Sequence, residues 1–465
     1  MRRAALFALV LALAPAHATA DDAADAARKQ KLEAAKKAFE TDKKAFEDRV
    51  NAAIDRGVAW LRTQQKGNGL FPAFGDHLPA NQYNQMDWGL DALVLLTFAK
   101  SGIAPEDKAI DKLRVSTTAE YARMKGLKHV AVYPAATMLL ALEALYHPAA
   151  KEDVDVRRDR YGSSVSRKKT PCQFPPNVRP LVDELGRFLV AAQAKNGGWR
   201  YPGPEKSIPG EADLSNTQYA LFGLNVVARC GGTVPLETWQ RALEYLLKTQ
   251  EKDGFDSELF IQNAEWEPGA DGVPQFLSAG KRKARGWTYV PGAPVNADNT
   301  GATTGAMTCA GLAGLAICKE RLADLGKLPN ELSRRIDVGL LDGMAWLSDV
   351  FTVTDNPVVP AAPAMWHYYY LYGLERVGSL TGVRYHAKQD WYRVGSEHLL
   401  ANQEKNGNWR EVMIEGKRSE DESAITQTCF ALLFLRRATS PPLVPVTPPV
   451  LTGRPEDAPS DNRGK

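Results

Sequence analysis

The chain has little cysteine, no marked excess of either charge and no apolar run long enough to span a bilayer. Five cysteines among 465 residues is an odd number and gives no disulfide framework. Cys230, Cys309, Cys318 and Cys429 fall in helical apolar runs, where they act as small hydrophobes. Cys172 alone sits in a polar loop, so a Cys172–Cys230 bridge is left open but not favoured. A net charge of +3 with both signs interleaved along the chain gives no basic footprint, which excludes nucleic acid as the expected partner. Alternating strand patterns are nearly absent. The opening stretch Met1–Pro15 is a basic tip followed by a short apolar core, then Ala18-Thr-Ala20. It is too short for a transmembrane helix and reads as a secretory signal over residues 1–20. The expectation is an exported protein, periplasmic or extracellular, with no membrane span in the mature chain.

What the sequence does have is helices, in pairs. Residues 21–49 form a charged helix with Leu32, Phe39 and Phe46 on one narrow apolar seam. From residue 50 onward six pairs follow: 50–65 with 84–101, 107–125 with 130–147, 178–194 with 214–230, 235–250 with 298–319, 331–350 with 364–379, and 390–404 with 423–438. The second member is the more apolar each time, as in Ala220-Leu-Phe-Gly-Leu224 and Phe430-Ala-Leu-Leu-Phe-Leu435. A helix apolar on most of its circumference is buried on most sides, whereas a one-faced helix belongs outside. Six buried helices ringed by six amphipathic ones make an all-α fold, an α/α toroid or six-hairpin barrel, over residues 50–439. Residues 148–177 and 251–285 read as polar insertions, the second ending in the basic cluster Lys281–Arg285, which reads as a solvated loop. The Pro-rich tail, 440–465, holds no helix and is expected to be disordered.

Two stretches repeat: Gln193, Gly197 and Trp199 share the spacing of Gln403, Gly407 and Trp409. A weaker copy has Gln250 and Gly254, with its tryptophan, Trp287, delayed by the insertion. Each follows a first-member helix and leads to a second. The expected roles are a glutamine bonding the free carbonyls of its own helix end, a glycine taking positive φ, and an indole covering the joint.

Gln-x3-Gly-x-Trp between an outer and an inner helix resembles the QW repeats of the terpenoid cyclase and protein prenyltransferase superfamily, over most of residues 50–438. The stretch Trp366-His-Tyr-Tyr-Tyr-Leu-Tyr-Gly-Leu-Glu-Arg-Val-Gly378 most resembles exported bacterial proteins with prenyltransferase and squalene oxidase repeats. The resemblance implies an α/α toroid whose inner helices begin at one rim of a central cavity. It also implies two catalytic sets, and neither is intact. Where class II cyclases carry Asp-x-Asp-Asp-Thr, this chain has Asp213-Leu-Ser-Asn-Thr217, with Ser215 in place of the proton donor. A serine is far too weak an acid to protonate an alkene. Where the prenyltransferases bind zinc, Ala302 and Thr304 replace Asp and Cys, and only His367 matches a ligand. No cofactor or metal is expected.

The starts of the inner helices supply the candidates. For catalysis these are Asp87, Asp91, Asp213, Asp298, His367 and Glu422. Asp87 and Asp91 are four apart on one helical face, so burial of both raises the pKa of one. Asp213 and Asp298 read first as helix caps, and His367 as a satisfied core histidine. For ligand binding the candidates are Tyr133, Tyr219, Trp366, Tyr368 and Tyr369. Successive residues of Tyr368–Tyr370 and Tyr372 lie about 100° apart on a helix, so one or two face the cavity. The expected activity is that of a toroid binding an apolar, isoprenoid-like ligand, an oligosaccharide or another protein. The alternatives are an isoprenoid-converting enzyme with a non-standard acid, and a polysaccharide hydrolase or lyase using rim carboxylates.

Overall fold

The computed structural model describes residues 20–72, 87–146, 174–201, 212–262, 276–295, 300–359, 365–410 and 421–439, and among these twelve helices alternate between two kinds of surface. Residues 1–19 of the signal stretch, residues 148–173 of the first insertion and the Pro-rich tail lie outside the described residues. The chain divides into two units, Met1–Asp48 with Trp266–Pro274, and Arg49–Glu265 with Gln275–Lys465. In the first, the described residues are the N-terminal part of α1 (Ala20–Gln64), whose helix continues into the second unit.

In the second unit the odd-numbered helices are one-faced. In α3 (Lys108–Gly126) the buried side chains are Ile110, Leu113, Thr117, Tyr121 and Met124. In α5 (Arg179–Ala191) they are Val182, Leu185, Gly186 and Leu189, a stripe at helical spacing. The helices α7 (Leu236–Thr249) and α11 (Trp391–Asn402) follow the same rule; α9 (Asn330–Asp349) is the exception, buried without a break from Gly339 to Leu347. The even-numbered helices are α2 (Asp87–Lys100), α4 (Val132–Tyr146), α6 (Leu214–Arg229), α8 (Gly305–Asp324), α10 (His367–Thr381) and α12 (Asp421–Arg436). These are buried on nearly all sides, and in α8 every residue from Gly305 to Leu322 is buried. Ala220–Leu224 and Phe430–Leu435, the stretches on which the inner assignment rests, are buried throughout.

The inner helices pack in sequence, α2 on α4, α4 on α6, α6 on α8, α8 on α10 and α10 on α12, and α12 returns to pack on α2. The ring is closed, and the fold is an α/α toroid. Glycines let the layers approach. A side chain at Gly311 of α8 would sit 2.4 Å from the Trp287 indole that lies across it.

Two expectations are corrected. The Lys281–Arg285 cluster is no solvated loop: most of it is strand β2 (Phe276–Ala284), antiparallel to β1 (Phe255–Gln262), and the hairpin packs on outer helix α9. Lys283 pairs with Asp256 across the strands at 2.8 Å, still at the surface, and Arg285 pairs with the buried Asp342 of α9 at 2.7 Å. Cys230 is disulfide-bonded, whereas Cys309, Cys318 and Cys429 are buried free thiols. Cys172, the partner the sequence offers, lies outside the described residues. The remaining strands are two-residue pairs, β3 (Thr303–Thr304) with β4 (Val358–Val359) and β5 (Tyr385–His386) with β6 (Gln389–Asp390).

Candidate functional site

Four of the joints between an outer helix and the following inner helix share one hydrogen-bond frame. Gln193 Nε2 donates to Gly197 O at 2.8 Å and to Thr238 O at 3.0 Å, in the first turn of the next outer helix. Gln403 does the same to Gly407 O and Ala53 O, both at 2.8 Å. Gln250 bonds Arg285 O and Gly339 O. The glutamine therefore ties its loop to the neighbouring outer helix, and does not cap its own helix as expected. The indole does that: Trp199, Trp287 and Trp409 donate Nε1–H to the carbonyls of Leu189, Leu246 and Leu399. Gly197 and Gly407 hold φ of +96° and +104°, and Gly254 lies so near Ala284 O that a Cβ would be 1.9 Å from it. The backbone N–H of each tryptophan donates to a threonine of the inner helix, Thr217, Thr308 or Thr428.

The fourth joint was missed. Gln65 Nε2 donates to Gly69 O at 2.8 Å and Ala109 O at 3.0 Å, and Phe71 stands at the tryptophan position. Its backbone N–H donates not to a threonine but to Asp91 Oδ1, at 2.9 Å. Reading the repeat as Gln-x3-Gly-x-aromatic would have found it.

Asp91 is 3 % exposed. Burial, only partly offset by the Phe71 N–H, pushes its pKa up to about 7, and the nearby Asp87 adds a smaller push in the same direction. Asp87 itself is half-buried. Asp213 caps α6: Oδ1 accepts Asn216 N–H at 2.7 Å and Oδ2 accepts the Asn216 amide at 2.9 Å. Burial raises it to about 6 against those bonds. Asp298 and the Glu422 side chain lie outside the described residues. The cap of α8 is Thr304, and the helix starts later than its sequence pattern suggests because Thr303 and Thr304 are taken by the strand pair with Val358 and Val359. The His367 Nε2 lies 2.8 Å from Val353 O, and burial lowers its pKa. Its ring stands 5.0 Å from that of His398.

The aromatic candidates separate. Tyr133, Tyr219 and Tyr369 meet in the lumen, with Tyr133 edge-on to Tyr219 at 4.4 Å and Tyr219 stacked on Tyr369 at 6.4 Å. Phe430 joins Tyr369 and Tyr372 at 5.5 and 5.8 Å. Tyr368 and Tyr370 turn away, donating to Arg410 O and Thr352 O. Trp366 is 60 % exposed and holds φ of +72°, an unusual conformation for so bulky a residue. Ser215, at the place of the cyclase acid, is hydrogen-bonded to the Tyr369 hydroxyl at 3.0 Å, and Gln218 Nε2 donates to the same oxygen.

Below these tyrosines is a group that sequence reasoning did not single out. Arg376 is 1 % exposed, with its Cζ 4.0 Å from the Tyr372 ring centre, 4.5 Å from Phe222 and 4.6 Å from Tyr219. Three faces of this kind are each worth on the order of 2 kcal/mol for a desolvated cation. The guanidinium and rings from α4, α6, α10 and α12 fill the middle of the ring. Among the described residues no three His, Cys, Asp or Glu side chains gather as a metal-binding cluster.

Compared with solved structures, the chain is similar to other helical proteins of this size. They include an unsaturated glucuronyl hydrolase specific for heparin, at 11% identity and a TM-score of 0.48, covering 84% of this chain and 97% of that one. They also include a type II terpene cyclase from Scytonema in complex with geranylgeranyl dihydroxybenzoate, at 11% identity and a TM-score of 0.29, covering 85% and 98%. No protein-family model and no curated protein matches the chain.

At the opposite rim, where the inner helices end, lies a crevice of about 30 Å³. It is lined from α2 by Lys100, from α4 by Glu143, from α6 by Asn225 and Arg229, and beyond α12 by Thr439. Phe222 and Tyr372, two of the rings around Arg376, form part of its wall.

Proposed function

We propose that this is an exported ligand- or protein-binding toroid that neither cyclises isoprenoids nor transfers them. The observation that carries the reading is the filled lumen. Tyr133, Tyr219, Phe222, Tyr369, Tyr372, Arg376 and Phe430 occupy the space in which a polyprene chain would have to fold. Ser215, at the acid position, is held by Tyr369 and cannot protonate an alkene. Asp213 is engaged in capping α6. Export rests on the signal-like residues 1–20. No helix among the described residues is long and apolar enough to cross a membrane.

The alternative, an enzyme working with carboxylates at the starts of the inner helices, draws on Asp91 and Asp213, both raised toward neutrality by burial. One experiment separates the two. The mature protein is incubated with squalene, geranylgeranyl diphosphate and uronate-containing oligosaccharides, and the products are read by mass spectrometry alongside whatever co-purifies. Unchanged substrates support the binding reading. Turnover of any substrate that is lost in Asp91→Asn or Asp213→Asn overturns it.

A further inference from the structure

Past α12 the chain turns back over the rim where the inner helices end. Arg437 N–H donates to Phe434 O at 2.9 Å and Ala438 N–H to Leu433 O at 3.1 Å. These are the two bonds of a Schellman turn, whose residue at positive φ is usually glycine. Here it is Arg437, at φ +49°, whereas α10 ends on Gly382 at φ +72°. A side chain in the left-handed region costs free energy, and such a turn persists only where other contacts hold it.

Contacts to three other helices hold this one. The Arg437 guanidinium lies 4.8 Å from the ring centre of Tyr392 and 5.7 Å from that of Trp391, both on α11. Arg436 Nη2 donates to Ser101 O at the end of α2. Thr439 reaches α10, where its N–H donates to Glu375 Oε1 at 3.1 Å and its hydroxyl to Oε2 at 2.6 Å. That carboxylate is fully buried and takes a further bond from the Ser379 hydroxyl at 2.8 Å. Hydrogen bonds to a charged acceptor are the stronger kind, and a buried carboxylate oxygen stripped of its donor is costly. The segment also lies where the ring closes, since α12 packs on α2. Ala438 and Thr439 form part of the crevice wall, with Phe222 and Tyr372 of the Arg376 cluster in the same lining. We propose that Arg436–Thr439 is a strap, latched on Glu375, that closes the C-terminal rim and clamps the ring's seam. Because its turn is strained, losing the latch frees the whole segment and opens the crevice wall. The strap goes beyond the binding reading above and does not depend on it.

Amide hydrogen exchange of the full mature chain, read by mass spectrometry, tests this, because exchange reports local opening segment by segment. Thr439→Val keeps the shape of the side chain and removes the hydroxyl. Exchange should rise about tenfold or more at the end of α10, Leu374–Thr381, and at the end of α2 around Ser101, with α6 at the wild-type rate. The rise at α2 is the distinguishing sign, because it passes through Arg436 and not through Glu375. Ser379→Ala takes a donor from the same carboxylate without touching the strap, so it should loosen α10 and leave the α2 end unchanged. If Thr439→Val does not fold, Glu375→Gln carries the same expectation. A rise confined to α10, an equal rise in α6, or an α2 end that loosens as much in Ser379→Ala overturns the strap. Such a failure leaves the non-cyclase reading standing, because that reading falls only on substrate turnover.

Discussion

The joint between α1 and α2 and the joint between α11 and α12 are built on the same frame and finished differently. In both, a glutamine bonds its loop glycine and reaches a carbonyl of the next outer helix. In the later joint an indole bonds Leu399 O and a neutral threonine receives the aromatic residue's N–H. In the earlier one the Phe71 ring has no N–H to give a carbonyl, and its backbone N–H is received by the carboxyl of Asp91. The frame is thus carried by the glutamine and glycine, while the aromatic residue and its acceptor set how much the joint contributes and whether it responds to pH.

Trp409→Ala should break the second joint most severely. It removes a fully buried indole and its hydrogen bond, for a loss of about 4 kcal/mol in urea unfolding. A loss below about 1 kcal/mol would mean the indole is not what secures the joint.

Asp91→Asn sharpens the contrast through pH. The Asp91 carboxyl titrates near 7 when folded, against 3.8 for the ordinary carboxyl. The folded protein therefore binds the proton more tightly than the unfolded chain does. Between these two pKa values stability falls as pH rises, and above about 7 the deficit is complete. Asparagine keeps an acceptor for Phe71 N–H and carries no charge. The variant should be more stable than wild type by about 4 kcal/mol at pH 8 and nearly equal to it at pH 4. Parallel stability curves for the two proteins would show that Asp91 does not titrate as described.

Gly197→Ala places a Cβ 2.2 Å from Arg241 O at a φ of +96°. A cost of about 2 kcal/mol is expected. The same change at Gly67, where a Cβ meets nothing within 4 Å, should cost almost nothing in the same unfolding assay.

The smallest of the expected losses, that control apart, belongs to the seam where the ring closes. Gln403 bonds Ala53 O and also receives a hydrogen bond from Arg56. Gln403→Leu should lose about 1.5 kcal/mol and speed amide exchange at the start of α12 more than within α6. Uniform exchange around the ring would show that the seam is no weaker than the other joints.

Much of this was legible in the chain itself. The inner and outer helices could be told apart because burial on all sides demands apolar residues all round, as in Phe430–Leu435. The pairing of helices followed from the same pattern. Three of the four glutamine joints showed in their spacing, and the fourth was hidden by Phe71 in place of tryptophan. That one carboxyl of the pair Asp87 and Asp91 is raised follows from two carboxyls four apart sharing a helical face, but that it is Asp91, and that burial outweighs the second charge, depends on the packing.

Sequence by itself determined which helices are inside, because hydrophobic burial depends on composition along one helix. Only the tertiary structure decided what fills the ring and where an opening remains. Tyr133, Tyr219 and Tyr369 belong to three different helices, and their meeting in the lumen depends on how far each helix is rotated. That rotation is set by packing against both neighbours at once, which no single stretch of sequence records.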